Sequence, residues 1–154
     1  VVNLAKGKIG EDTANLLGSL LVSSIGNAAF SRAEISEENR RPFWLYLDEF
    51  QNFTTLSLAN MLSELRKYRV GLVLAHQYLT QLAPEIRDAI LGNVGTIISF
   101  RIGLADAEII AREFYPEFSE SDFVYLPNHE IYLKLMTLGI QTHPFSAETL
   151  PPSP

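Results

Sequence analysis

The sequence contains no cysteine. Disulfides, thiolate metal sites and cysteine nucleophiles are therefore excluded, and a reducing cytoplasm is the expected setting. Histidine is scarce. His76, His129 and His143 are scattered without the spacing of a zinc site. No apolar run reaches the roughly 18 residues that a membrane span needs. The stretch from Leu16 to Phe30 comes nearest, but Ser, Gly and Asn interrupt it, and it reads as a buried helix. An excess of positive charge is also missing. The net charge is −6, which argues against a surface shaped throughout for nucleic acid. It leaves room for a local basic patch at Arg66, Lys67 and Arg69. There is no signal peptide and no initiator Met, and residues 1–4 already read as a strand. The expectation is a piece of a longer protein.

What is present fits a folded domain. The chain has 154 residues, 47% of them hydrophobic and 19% charged, which suffices for a real core. The most informative stretch is Phe43-Trp44-Leu45-Tyr46-Leu47-Asp48-Glu49-Phe50-Gln51-Asn52-Phe53. Bulky apolar and aromatic residues lead directly into two adjacent carboxylates. Such a run reads as a strand buried on both faces, as in a parallel sheet. Acids at its end then sit at the carboxyl edge, where open α/β sheets bind ligands. This is the Walker B pattern. Asp48 would hold Mg²⁺ through water, and Glu49 would polarise an attacking water. The plainer alternative is a strand that ends in an acidic turn.

Helical and extended patterns alternate along the rest. Asp12 or Thr13 caps a long helix to about Ala33, and residues 34–42 form a charged loop. Leu58, Met61, Leu62 and Leu65 have helical spacing. Residues 70–75 and 96–100 read as strands, 84–91 and 105–114 as helices, and 119–125 as an acidic helical turn. Residues 130–136 and 140–145 read as a strand pair around Leu138-Gly139, followed by a Pro-rich tail. This alternation argues for a mostly parallel sheet flanked by helices.

A nucleotide site also needs a phosphate cradle and, often, a sensor of the γ-phosphate. The cradle is missing: no GxxxxGK followed by Ser or Thr occurs. The segment from Gly7 to Thr13 has its Lys before the second Gly and reads as an ordinary loop. The sensor has a candidate in Gln77, just past the strand of residues 70–75, although polar residues at strand ends are common. Arg101 ends the strand of residues 96–100. Its planar donors suit charge developing on a phosphate, as an arginine finger, or a surface ion pair equally well. Arg112 is a weaker rival. The Arg66-Lys67-Tyr68-Arg69 cluster closes a helix, where cations are favoured by the dipole. The aromatic residues read as core, because acids rather than basic residues are interleaved with them. A metal-dependent phosphodiesterase ranks last, since two-metal chemistry needs more convergent ligands than this pair.

Four blocks taken together carry a resemblance: Leu45 to Phe53, Leu62-Ser63-Glu64-Leu65-Arg66-Lys67-Tyr68, Leu74-Ala75-His76-Gln77-Tyr78, and Gly92 to Arg101. The sequence resembles the conjugative coupling ATPases, the TraD/TraG-like proteins of type IV secretion within the HerA–FtsK group of RecA-like motors. The resemblance runs from about Val2 to Pro144. It implies a partial RecA-like P-loop NTPase core with a C-terminal strand pair. Residues 1–146 would be the Walker B half of the motor domain and 147–154 a loose tail. It implies ATP and Mg²⁺ as cofactors of the parent protein, DNA as its cargo, a hexameric ring, and secretion or relaxation proteins as further partners. Asp48 then matches the metal acid, Glu49 the catalytic glutamate and Gln77 the sensor, with Arg101 held loosely as the finger. Walker A would lie upstream, so this chain alone would be inactive. Any membrane attachment would come from segments outside it. The alternative is a non-enzymatic docking module for a secretion or DNA-processing partner.

Overall fold

A computed structural model describes residues 1–53 and 56–151. They divide into two compact units, Val1–Asn93 and Val94–Pro154.

The first unit begins without a strand. Residues 1–4 are irregular, because an extended segment becomes a strand only where a neighbour accepts its backbone bonds, and among the described residues none pairs with it. The short helix α1 (Lys6–Ile9) follows, and Gly10, at φ +84°, turns the chain into the long helix α2 (Glu11–Phe30). Single-turn 3-10 segments at Ser31–Glu34 and Glu37–Asn39 lead to β1 (Phe43–Leu47). A tight turn at Phe50–Phe53, helix α3 (Leu56–Leu65), strand β2 (Val70–Leu74) and helix α4 (Pro84–Asn93) complete the unit. Strands β1 and β2 pair in parallel, with Phe43 opposite Val70 and Leu47 opposite Leu74. The side chain of Leu58, expected on the apolar face of α3, lies outside the described residues.

Helix α2 was expected to be buried, and it is buried on the opposite stripe from its large residues. Ala14, Gly18, Val22, Gly26 and Ala29 face inward at helical spacing. The glycines are required there, since a Cβ at Gly18 would collide with the Phe53 ring and one at Gly26 with the Met61 sulfur. The leucines point out, Leu16 at 62% and Leu20 at 56% exposure. Strand β1 also departs from its expected burial on both faces. Trp44 is 61% and Tyr46 70% exposed, and only Leu47 is buried. A sheet of two strands leaves β1 with a single paired neighbour among the described residues.

The second unit is antiparallel, which corrects the expectation of a mostly parallel sheet. Strand β3 (Ile97–Ser99) pairs with β4 (Glu130–Lys134), which pairs with β7 (Phe145–Glu148). The small hairpin of β5 (Met136–Thr137) and β6 (Ile140–Gln141) turns at Leu138-Gly139, both at positive φ. Between β3 and β4 lie α5 (Leu104–Ile110) and α6 (Glu120–Val124). Pairing continues to Glu148, inside the segment expected to be a loose tail, and residues 152–154 of that tail lie outside the described residues. Phe114 and Phe123 are fully buried and meet edge to face, while Phe118 stacks on Tyr132 at 3.8 Å. These aromatics are core, as expected. Tyr78, Phe100, Tyr115 and Tyr125, also expected in the core, are exposed instead. The chain is thus α/β, with small sheets, and among the described residues only the pair of β1 and β2 is parallel.

Candidate functional site

The carboxyl ends of β1 and β2 are clipped together. Ala75 N donates to Leu47 O at 2.9 Å, and Phe50 N donates to Ala75 O at 3.2 Å. Phe50, fully buried, meets the His76 ring edge-on at 4.9 Å. Between these anchors the chain turns through Asp48 and Glu49. Glu49 has φ +49°, a left-handed conformation that is uncommon for a side chain of this size. Local bonds hold it there. Asp48 Oδ1 accepts from Glu49 N at 3.0 Å, and Glu49 O accepts from both Asn52 N and Asn52 Nδ2, at 3.1 and 2.9 Å.

This turn points the Glu49 carboxylate at two amides. Gln77 Nε2 donates to Glu49 Oε1 and Gln51 Nε2 to Glu49 Oε2, each at 2.5 Å. Asp48 is exposed and Glu49 half-buried. Asp48, Glu49 and Gln77, picked out from the sequence as separate features, therefore form one cluster in the first unit. Three neighbours were assigned no role in advance. Gln51 and Asn52 return to Glu49 through the tight turn, and Lys6 Nζ donates to Asn52 Oδ1 and pairs with Glu11, both at 3.0 Å. Two amides following the acid pair were the available signal for the first two. Nothing in sequence spacing marks Lys6, which is 46 positions from Asn52.

Arg101 belongs to the second unit, exposed just past β3, and Arg112 is exposed in the turn after α5. The basic cluster at the end of α3 has structural work. Arg40 donates to Lys67 O and stands over the Tyr68 ring, Arg32 donates to Tyr68 O, and Arg69 donates to Arg40 O. Lys67 pairs with Glu64, whose hydrogen bond holds the lysine above its ordinary pKa.

The donor set fits one half of a nucleotide site. An exposed aspartate beside an amide-held glutamate suits a hydrated Mg²⁺ and a water, respectively. Among the described residues no three His, Cys, Asp or Glu side chains converge as metal ligands, so any ion at Asp48 would be held largely through water. The phosphate half does not fit. Gly7 lies inside α1, and the first turn of α2 carries Glu11 and Asp12, which place negative charge at the helix end that would attract an anion. No helix among the described residues is long and apolar enough to cross a membrane.

Residues 42–114 match the family model described as the TraM recognition site of TraD and TraG. The fold is shared with solved structures, among them three of coupling proteins. The plasmid coupling protein TrwB in complex with the non-hydrolysable ATP analogue ADPNP is 17% identical, with a TM-score of 0.68 over 90% of this chain and 37% of that one. TrwB with the GTP analogue GDPNP is 16% identical, with a TM-score of 0.66 over 89% and 38%. The unbound monoclinic form of the bacterial conjugative coupling protein TrwBdeltaN70 is 16% identical, with a TM-score of 0.65 over 84% and 36%. This chain thus spans less than two fifths of the proteins it is built like. No curated protein matches the sequence. The family match over residues 42–114 and the fold shared with TrwB support a TraD/TraG-like conjugative coupling protein fragment.

Proposed function

We propose that this chain carries the metal-and-water half of a RecA-like ATPase domain that couples ATP hydrolysis to DNA transfer. The observation that carries the reading is the bond from Gln77 to Glu49 at the carboxyl edge of the parallel strand pair. It joins an acid and an amide, as a water-activating group and a phosphate sensor require. Structural likeness to TrwB, solved with ATP and GTP analogues, supports nucleotide as the ligand.

In this reading Asp48 holds the hydration shell of Mg²⁺, which when bound neutralises phosphate charge. Glu49 accepts a hydrogen bond from the attacking water and orients it. Gln77, donating to Glu49, senses the terminal phosphate from the neighbouring strand end. Arg101 serves as an arginine finger toward a neighbouring subunit's nucleotide in a hexameric ring. The phosphate cradle comes from sequence outside these residues, so the chain alone does not turn over ATP. DNA is the cargo of the complete assembly.

A second reading has its own support. The matched family is described as a recognition site for TraM, so the same residues would also dock a protein of the DNA-processing machinery. The chain's net charge of −6 favours a basic partner surface.

The test separates binding from hydrolysis in the natural protein that carries this sequence. Glu49→Gln is expected to retain ATP binding and lose hydrolysis. Loss of binding, with hydrolysis intact among the bound molecules, would contradict the role given to Glu49. Salt-sensitive partner binding unaffected by Asp48→Ala and Glu49→Ala, in a protein without ATP turnover, would favour the docking reading.

A further inference from the structure

We propose that Gln51 is a positioning residue for Glu49, fixing the carboxylate in the orientation from which it addresses water. The inference rests on the reading of Glu49 as the water-polarising acid. A glutamate at a strand end has several rotatable bonds, and a general base works only when its oxygen stands within hydrogen-bond reach of the proton it takes. Here each carboxylate oxygen has its own amide donor, Gln77 on Oε1 and Gln51 on Oε2. Two donors on two oxygens set the plane of the carboxylate as well as its location. One donor alone would leave that plane free to swing about the single bond.

The two donors are not equivalent. Gln77 is exposed and reaches Glu49 from the end of β2. Gln51 is half-buried and sits in the 3-10 turn that begins with the fully buried Phe50. That turn is anchored by Phe50 N on Ala75 O and by the two Asn52 donors on Glu49 O. The left-handed Glu49 is what folds the chain back far enough for a residue two positions on to reach the carboxylate. Gln51 is therefore the fixed arm and Gln77 the arm able to respond to ligand. A carboxylate has lone pairs enough to accept from water while both amides stay bonded.

Gln51→Leu removes the donor and keeps the bulk. In the natural protein it is expected to lower kcat by about tenfold, because misaimed catalytic groups lose rate steeply, while KM and nucleotide affinity stay within about twofold. Combined with Glu49→Gln, it is expected to add no further loss, since its effect passes through Glu49. In isotope-labelled protein, the side-chain amide resonances of Gln51 and Gln77 are expected to shift in Glu49→Ala. Unchanged kcat in Gln51→Leu, an equal loss in the Glu49→Gln background, or amide resonances indifferent to Glu49→Ala would each overturn the positioning role. Absence of ATP turnover in the wild type would defeat the ATPase reading itself, and the positioning role with it.

Discussion

Gln77 donates its side-chain amide to the carboxylate of Glu49, a residue 28 positions earlier, and so ties the end of β2 to the end of β1. The parallel register makes this pairing possible. With Leu47 opposite Leu74, both strands finish at the same level, and the polar residues that follow each one meet at a common edge. The chemistry proposed here depends on that shared edge.

The isolated 154-residue chain is expected to show no multiple turnover of ATP, because its described residues supply no phosphate cradle and two acids occupy the start of α2. Phosphate release measured with purified chain and Mg²⁺ checks this. Sustained release that Glu49→Gln abolishes would show that the chain is a complete catalyst.

Gly18→Ala and Gly26→Ala should separate in stability. Alanine favours a helix interior over glycine by up to about 1 kcal/mol. Overpacking a filled site costs about 1 to 3 kcal/mol. At Gly18 the obstacle is the rigid Phe53 ring, and at Gly26 it is the flexible end of Met61. Gly18→Ala is expected to lower the urea midpoint clearly, with Gly26→Ala near neutral. The reverse order would mean that α2 does not rest on Phe53.

The cap of α6 predicts a pH dependence. Asp122 accepts from Ser119 N at 2.7 Å and from Ser119 Oγ at 2.8 Å, and these bonds hold its carboxyl below the usual aspartate range. A lowered folded pKa means that the cap's contribution is complete above the ordinary aspartate value and is lost as pH falls through the lowered one. Ser119→Ala is expected to cost about 1 kcal/mol near neutrality, and Asp122→Asn, which removes the carboxylate that accepts the backbone bond as well, to flatten the acid limb of the stability profile. Unfolding followed from pH 7 down to pH 2 reads both. An unchanged acid limb would remove Asp122 as its source.

Lys134 is buried, and it donates to Glu113 O at 2.8 Å and to Glu113 Oε2 at 3.0 Å. Removing one partner of a buried pair strands a charge, whereas replacing the lysine by an apolar side chain removes the charge itself. Glu113→Ala is therefore expected to destabilise more than Lys134→Met, since Glu113 retains access to water at 33% side-chain exposure. Denaturant titration of both variants decides the order.

Local patterns were legible where the cause is local. The apolar run Phe43–Leu47 is a strand, Asp48 and Glu49 follow it directly, and Leu138-Gly139 is the hairpin turn. Strand direction was not legible, because the pattern of residues 96–100 is the same whether its neighbour runs parallel or antiparallel. The strand read at residues 1–4 failed for a related reason: pairing belongs to the neighbour as much as to the segment. Helix α2 carries apolar residues on two stripes, and only the closeness of Phe53 and Met61 selects the glycine stripe for burial. The amide of Gln51 stands in the sequence just after the acid pair, but its reach to Glu49 depends on the left-handed turn at Glu49, which no residue type at that position announces.

The most direct measurement is ATP turnover by the natural protein that carries this sequence, wild type against Glu49→Gln, with Mg²⁺ present. If Glu49 orients the attacking water, turnover should fall by about a hundredfold or more in the variant, within the range that general-base catalysis contributes. Equal turnover in the two proteins would contradict the central role given to Glu49.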